Sequence, residues 1–173
     1  EKKSGMPYQE YIAKKVFAPL GMQNTQYFST TTEKNTNLFA KGYTKPNVIL
    51  EMVAEHELVP GEAGGGMLSN AEDMARFLQY FLKGEQQDSL DLIGRQGVLQ
   101  MEKLHSQFEV ENNIKSGYSL GISDRQFGDP VKNFKGHSGG IDGFITNYIY
   151  SRKSDLGIAI STNLFGAGNG RIV

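Results

Sequence analysis

The chain has 173 residues, of which 38% are hydrophobic and 21% are charged, a composition typical of a folded globular domain. Its formal net charge is −1, with no basic stripe and no acidic tail, so neither nucleic acid nor an anionic membrane surface is expected as a partner. No apolar run approaches the ~20 residues that span a bilayer, and the absence of cysteine excludes disulfides and thiolate metal ligands.

The first part of the chain is predicted to contain one helix followed by irregular segments. The helix extends from Pro7 to Phe17, because a proline suits the first helical position and the acidic Glu10 lies in the first turn, where it complements the helix dipole. Pro19-Leu20-Gly21 is expected to end this helix. The polar stretch from Ser29 to Asn37 is predicted to be a surface loop, and Ala40 to Tyr43 a short extended piece.

Two further helices are predicted in the middle of the chain. Ser69-Asn70-Ala71-Glu72 has the pattern of a capping box, in which the serine and glutamate side chains satisfy backbone N–H groups at the start of a helix. Apolar residues then repeat at helical spacing as far as Gly84, at Ala71, Met74, Ala75, Leu78, Phe81 and Leu82. A second helix is predicted from about Leu92 to Leu104, with glycine interruptions inside it.

The last third of the chain is predicted to form strands. They are Tyr118 to Ile122, Asn133 to Lys135, Phe144 to Tyr150 and Leu156 to Thr162, the last two joined by a polar turn from Ser151 to Asp155. Residues 1–110 are thus mostly helices and loops, and residues 111–173 are strands of an antiparallel sheet. This order predicts an α+β fold in which helices flank the sheet.

One face of the last predicted strand has only small side chains, those of Gly157, Ala159 and Ser161. Small residues allow another element to pack closely. We expect that partner to be missing from the chain, as a helix beyond Val173 would be, and we expect an uncovered sheet edge to favour pairing with another chain.

The segment best suited to chemistry is Gly136-His137-Ser138-Gly139-Gly140, which leads through Ile141-Asp142-Gly143 into a predicted strand. Glycines allow a substrate to approach the backbone, and they leave N–H groups free to face a developing negative charge. The alternative interpretation is a tight hairpin turn in which the histidine is incidental.

The run His137-Ser138-Gly139, followed by Gly-Ile-Asp-Gly-Phe, resembles the third motif of serine β-lactamase-related hydrolases and penicillin-binding proteins. That motif has Lys or His, then any residue, then Gly on an edge strand of the active site. Other segments are similar to family motifs in the same order, namely Gly5 to Ile12, Pro19-Leu20-Gly21-Met22 with Thr25, Ala40 to Tyr43, and Ala63-Gly64-Gly65 with Ser69 to Phe77. The resemblance extends from Gly5 to Asn163 and implies a β-lactamase/transpeptidase-like fold.

The resemblance also implies roles for single residues. In such enzymes a serine of a Ser-x-x-Lys motif attacks a carbonyl carbon, and the lysine helps to remove its proton. His137 would occupy the Lys/His position of the third motif, Ser138 the variable or hydroxyl position, and Gly139 the small position. Gly140 would offer one backbone N–H of the oxyanion hole.

Two motifs of the family are absent: the chain contains neither Ser-x-x-Lys nor Tyr-x-Asn. Ser161-Thr162-Asn163 matches Ser-x-Asn in letters, but it follows the third motif, and we interpret it as the end of a strand. Because the missing motifs precede the segment near Pro7 in the family, we expect the chain to be the C-terminal portion of a longer serine hydrolase, whose missing N-terminal part is its natural partner.

The expected reaction of that longer protein is acyl transfer on a β-lactam, a D-Ala-type peptide or an ester, and the chain alone should be inactive. An alternative of another class is a non-catalytic binding or regulatory module that keeps the cleft without a nucleophile. The absence of cysteine is compatible with an extracytoplasmic bacterial protein, and we predict that location.

No cofactor or metal is predicted. The three histidines, His56, His105 and His137, lack the spacing of metal ligands. The glycine run from Gly61 to Gly66 is not followed by the Gly-Lys-Ser/Thr of a phosphate-binding loop, so a backbone-packing role is favoured.

Overall fold

The computed structural model describes residues 1–27, 39–44, 51–52, 63–83, 92–109, 115–126, 133–141 and 143–165.

In the first part of the chain, short helical segments follow one another without a break. Helix α1 (Tyr8–Ile12) continues through a π-helical turn (Ala13–Phe17) into α2 (Ala18–Leu20). The predicted helix is confirmed but ends later, at Gly21, which has a φ of 69°. Pro19 is tolerated because it lies at the start of α2, where a missing backbone N–H costs little.

The two predicted middle helices are present as α3 (Ala71–Lys83) and α4 (Gly94–Glu102). The predicted capping box is wrong by one residue. Asn70 Oδ1 accepts the backbone N–H of Asp73 at 2.9 Å, so asparagine caps α3. The Ser69 hydroxyl instead lies 2.8 Å from that of Thr25, and Glu72 pairs with Arg76.

Short strands join distant parts of the chain. Strand β1 (Gln26–Tyr27) pairs with β4 (Met67–Leu68) in antiparallel fashion. Strand β2 (Tyr43–Thr44) pairs with β3 (Glu51–Met52) and, in parallel, with β11 (Leu164–Phe165). The predicted loop from Ser29 to Asn37 lies outside the described residues.

The main sheet is a six-stranded antiparallel meander in which each strand pairs with the next along the chain. Its strands are β5 (Ser106–Glu109), β6 (Lys115–Tyr118), β7 (Ser123–Gln126), β8 (Phe134–Ile141), β9 (Phe144–Ser151) and β10 (Leu156–Thr162). The sheet and the helices before it confirm the α+β fold. The predicted strand Tyr118 to Ile122 is wrong, because residues 119–122 form the turn between β6 and β7, with Gly121 at a φ of 72°. Strands β5, β6 and β7 were not predicted, apart from Tyr118 at the end of β6, and β8 continues to Ile141, beyond the predicted end at Lys135.

Helix α3 packs on one face of this sheet. Phe81 stacks against Tyr150 with ring centroids 5.3 Å apart, and Phe77 meets Tyr148 edge-to-face at 5.8 Å. A Cβ added at Gly157 would lie 3.1 Å from Leu82 Cδ1, so α3 rests on the small side of β10. The expectation that the partner of this face lies outside the chain is therefore wrong, since α3 is that partner.

A buried ionic cluster attaches α4 to the sheet. Glu102 Oε1 accepts hydrogen bonds from the Tyr150 hydroxyl and from Arg152 Nη1, each at 2.6 Å, and Arg152 Nη2 bonds the other carboxylate oxygen. Burial and the bond to Glu102 raise the pKa of Tyr150 far above its usual value. The cluster fixes the end of β9 against α4, next to the strand that contains the glycine motif.

Candidate active site

The glycine motif forms most of strand β8 and is therefore neither a loop nor a turn. The hairpin turn lies after it, between Ile141 and Phe144, where Gly143 has a φ of 84°. The hairpin of the alternative interpretation is thus present at the end of the segment, whereas His137 to Gly140 belong to the strand. A strand presents its backbone N–H and C=O groups along its two edges.

Along the motif, one edge of β8 has no strand partner among the described residues, and this stretch is called the open edge. Strand β9 pairs with β8 from Lys135 to Ile141, whereas β7 pairs only with Phe134, Lys135 and Gly136. Within the described part of the chain, no strand pairs with the other edge from His137 to Ile141. Because backbone N–H groups of a strand alternate between its two edges, some N–H groups of this stretch point toward the open side.

The predicted site residues lie together on this stretch. His137 is half-buried, and Ser138, Gly139 and Gly140 are exposed. An added Cβ at Gly139 would meet no atom within 4 Å. The segment therefore combines an accessible backbone with an imidazole on the same strand. The catalytic roles of these residues remain predictions.

Gly136 is required by a close approach of strands β8 and β9. A Cβ at this position would overlap the carbonyl oxygen of Tyr148 and would lie 2.9 Å from Ile149 Cα. Both obstacles are backbone atoms and cannot rotate away as a side chain would. Glycine at this position sets the spacing of the two strands just before His137.

The imidazole of His137 has a hydrogen-bond partner that the sequence did not reveal. Its Nε2 atom lies 2.7 Å from the hydroxyl of Tyr118, at the end of β6. The two rings are 5.8 Å apart at their centroids and inclined by 68°. Nineteen positions separate the two residues, and β7 lies between their strands, so no local sequence pattern links them.

Tyr148 is the cross-strand neighbour of His137 on β9. Paired residues of this kind project from the same face of a sheet. Burial raises the pKa of Tyr148 to about 12, and the nearby phenol of Tyr118 adds to the rise. Tyr148 is therefore uncharged at neutral pH and places no anion beside the imidazole.

We expect the Tyr148→Phe variant to tolerate alkali better than the wild type. The pKa of Tyr148 is about 12 in the folded protein and about 10 in an unfolded chain, so the unfolded state releases this proton first. Below about pH 10 the tyrosine keeps its proton in both states, so the wild type has its full stability. Between about pH 10 and about pH 12 only the unfolded state ionises, which costs the wild type roughly 2–3 kcal/mol of unfolding free energy. Urea unfolding across this pH range measures the difference, and parallel curves for the two proteins would contradict it.

The Ala40-to-Tyr43 segment packs against the start of β9. An added Cβ at Gly42 would lie 2.5 Å from Cε2 of the Phe144 ring. Asn163 Nδ2 donates to the carbonyl oxygen of Lys41 at 2.9 Å, and the backbone N–H of Tyr43 donates to the carbonyl oxygen of Asn163 at the same distance. These contacts support the interpretation of Asn163 as a structural residue at the end of a strand.

A buried carboxylate joins two of the other motif segments. Asp73 has no exposed surface, and its Oδ2 atom accepts the backbone N–H of Asn24 and the hydroxyl of Thr25, each at 2.8 Å. Its Oδ1 atom pairs with Arg76 at 2.8 Å. The loop after α2 is thereby tied to the first turn of α3. The sequence showed both segments but not the bond between them.

The structure gives no sign of a metal centre or a membrane helix in its described part. Among the residues described, no three His, Asp or Glu side chains are grouped so that they would hold a metal ion. None of the described helices combines the length and the apolar character needed to cross a bilayer.

An antiparallel meander covered by helices, with an open-edged glycine strand, defines a β-lactamase/transpeptidase-like fold. The family model for Beta-lactamase matches residues 1–172, and the chain belongs to the beta-lactamase family. The resemblance seen in the sequence is confirmed. The members of this family are hydrolases.

Known relatives and structures agree with this assignment. The chain is 25% identical, over 90% of its length, to Beta-lactamase-like protein 4 of Dictyostelium discoideum. It is also similar to the octameric penicillin-binding protein homologue from Pyrococcus abyssi, with 26% identity and a TM-score of 0.76 over 94% of the chain. A D-stereospecific amidohydrolase from Streptomyces sp., at 22% identity over 95% of the chain and a TM-score of 0.68, shows the same fold.

The chain is much shorter than these proteins. It spans 27% of the Dictyostelium protein, 35% of the Pyrococcus chain and 46% of the Streptomyces chain.

Proposed function

We propose that the chain is the C-terminal portion of a serine hydrolase and that it supplies one wall of an acyl-transfer cleft. The substrates would be carbonyl compounds of the β-lactam, D-Ala-type peptide or ester class. The observation that supports this most is the open edge of β8, where the half-buried His137 and the exposed Gly139 and Gly140 lie on one strand.

Each part of this edge suits a step of acyl transfer. A backbone N–H of Gly140 would stabilise the oxyanion that forms when a serine attacks the carbonyl, and loss of such a donor costs about 10²–10³ in rate. The imidazole of His137 would orient the substrate or a proton-transferring side chain. The Ser138 hydroxyl, which is exposed on the same strand, would bond a polar group of the substrate.

The nucleophile must come from outside the chain in this proposal. No serine of the 173 residues is followed by lysine three positions later, and no tyrosine is followed by asparagine two positions later. The chain covers only a part of the length of its relatives, which supports a longer parent protein. We also propose an extracytoplasmic location in a bacterium, with which the absence of cysteine is compatible.

We expect the full-length protein that contains this chain to form a covalent adduct with a fluorescent penicillin or with an activated ester. The 173-residue chain alone should form none and should give no burst with nitrocefin, because it lacks the nucleophile and its base. Intact-protein mass spectrometry and stopped-flow absorbance measure both.

The contrary outcomes are distinct. Absence of an adduct with all substrate classes, in a full-length protein that contains Ser-x-x-Lys, would contradict the hydrolase. A natural protein that begins at Glu1 would instead favour a non-catalytic module with the same cleft wall. A burst from the pure chain would contradict its predicted inactivity.

A further inference from the structure

The hydrogen bond between Tyr118 and His137 suggests a role for a residue that no motif includes. Tyr118 is held on both sides, since it pairs with Ser106 of β5 and with Ser123 of β7. Its backbone carbonyl also accepts the N–H of His105 at 3.1 Å. Tyr118 as a residue is 41% exposed, yet its hydroxyl lies 2.7 Å from His137 Nε2.

We propose that Tyr118 is a positioning residue whose hydroxyl donates to Nε2 of His137 and holds the imidazole in the tautomer with its proton on Nδ1. The inference rests on the proposed function, because it gives the Nδ1–H group to the acyl-transfer cleft.

The direction of the hydrogen bond follows from the chemistry of the two groups. An imidazole nitrogen is far more basic than a phenol oxygen, and a phenol is the better proton donor, so O–H to N is the favoured arrangement. In a neutral imidazole one nitrogen accepts and the other donates. When Nε2 accepts, the proton must therefore be on Nδ1.

The remaining donor of His137 is available for the reaction. Among the described residues, the Tyr118 hydroxyl is the one group that hydrogen-bonds the imidazole. The Nδ1–H group thus suits a substrate carbonyl or carboxylate, or a catalytic side chain from the rest of the domain. A fixed tautomer means that no reorganisation is needed when the substrate binds.

Packing around the pair supports a fixed ring. Tyr148 is paired with His137 across β8 and β9, and Phe77 of α3 holds the Tyr148 ring edge-to-face at 5.8 Å. Helix α3 therefore backs the tyrosine next to the imidazole. Tyr118 and Tyr148 would restrict the ring from two strands, β6 and β9.

The first test is the ring ¹⁵N spectrum of the full-length protein, with the His137 signals assigned by their loss in His137→Gln. At neutral pH we expect a protonated Nδ1 and an unprotonated Nε2 in the wild type, and a mixture of tautomers in Tyr118→Phe. A protonated Nε2 in the wild type, or unchanged signals in the variant, would overturn the inference.

The second test is kinetic. Without the Tyr118 hydroxyl, we expect kcat for acylation to fall about tenfold, somewhat more than the loss of one neutral hydrogen bond alone would give, with little change in KM. The matched control is Tyr11→Phe, at a tyrosine of similar exposure (38%) in α1, which should leave both constants unchanged. Equal kcat in Tyr118→Phe and wild type, or an equal loss in both variants, would overturn the positioning role.

The two tests separate this inference from the proposed function. If the wild type reacts with no substrate, the proposed function fails, and the nitrogen spectrum still decides the tautomer. If the wild type is active but the spectrum shows Nε2 protonated, the proposed function stands and the role of Tyr118 fails.

Discussion

Replacing Asp73 with alanine is expected to lower the free energy of unfolding by about 3 kcal/mol, the largest effect that we predict for a single side chain. The carboxylate has no exposed surface and accepts from Asn24, Thr25 and Arg76. Its removal leaves the hydroxyl of the buried Thr25 and the backbone N–H of Asn24 without this acceptor. Urea unfolding should show the loss, and the melting temperature should fall by roughly 10 °C.

The neighbouring Glu72 provides the control for this variant. Glu72 lies on the same turn of α3 and also pairs with Arg76, but its side chain is 70% exposed. Glu72→Ala should change the stability by less than about 0.5 kcal/mol, as exposed ion pairs contribute little. Equal losses in the two variants would show that Asp73 does not join the loop after α2 to α3 in the way the structure indicates.

The Gly136→Ala variant is expected to lose about 3 kcal/mol, at the upper end of the cost of overpacking. The added methyl group would meet the backbone of Tyr148 and Ile149, so strands β8 and β9 must separate to admit it. We expect the backbone amide signals of residues 135–141 to shift in the NMR spectrum, because the whole paired stretch moves with this contact.

Gly139 is the matched control on the same strand. A methyl group there would meet no atom within 4 Å, and Gly139 is not among the glycines with positive φ. Gly139→Ala should therefore change the stability by less than about 0.5 kcal/mol. If Gly136→Ala were as stable as Gly139→Ala, the close approach of the two strands would be refuted.

The elements that could be predicted from the sequence are those whose pattern is local. Helix α3 has apolar residues at helical spacing, and β10 alternates small and larger side chains over Leu156–Thr162, the bounds that the structure also shows. Strand β5 was missed because all four of its residues are exposed, which leaves no alternation of burial to detect. The turn at residues 119–122 was mistaken for a strand because Ile122, an apolar residue in the core, lies within it.

The partners within the site could not be predicted, because they are set by the topology of the sheet. His137 was identified through the resemblance of its motif, yet its hydrogen-bond partner Tyr118 belongs to a strand two positions away in the meander. Asp73 likewise binds residues 48 and 49 positions earlier in the chain. The partner of the small face of β10 was expected outside the chain for the same reason, although α3 lies within it.

The most direct test of the proposed cleft is the position of the acylated residue in the full-length protein. After reaction with a fluorescent penicillin or an activated ester, proteolysis and mass spectrometry locate the labelled peptide. We predict that the label is on a serine of a Ser-x-x-Lys motif outside these 173 residues and that His137→Ala slows its formation. A label on Ser138 or another serine of this chain, or a rate that His137→Ala leaves unchanged, would contradict the account.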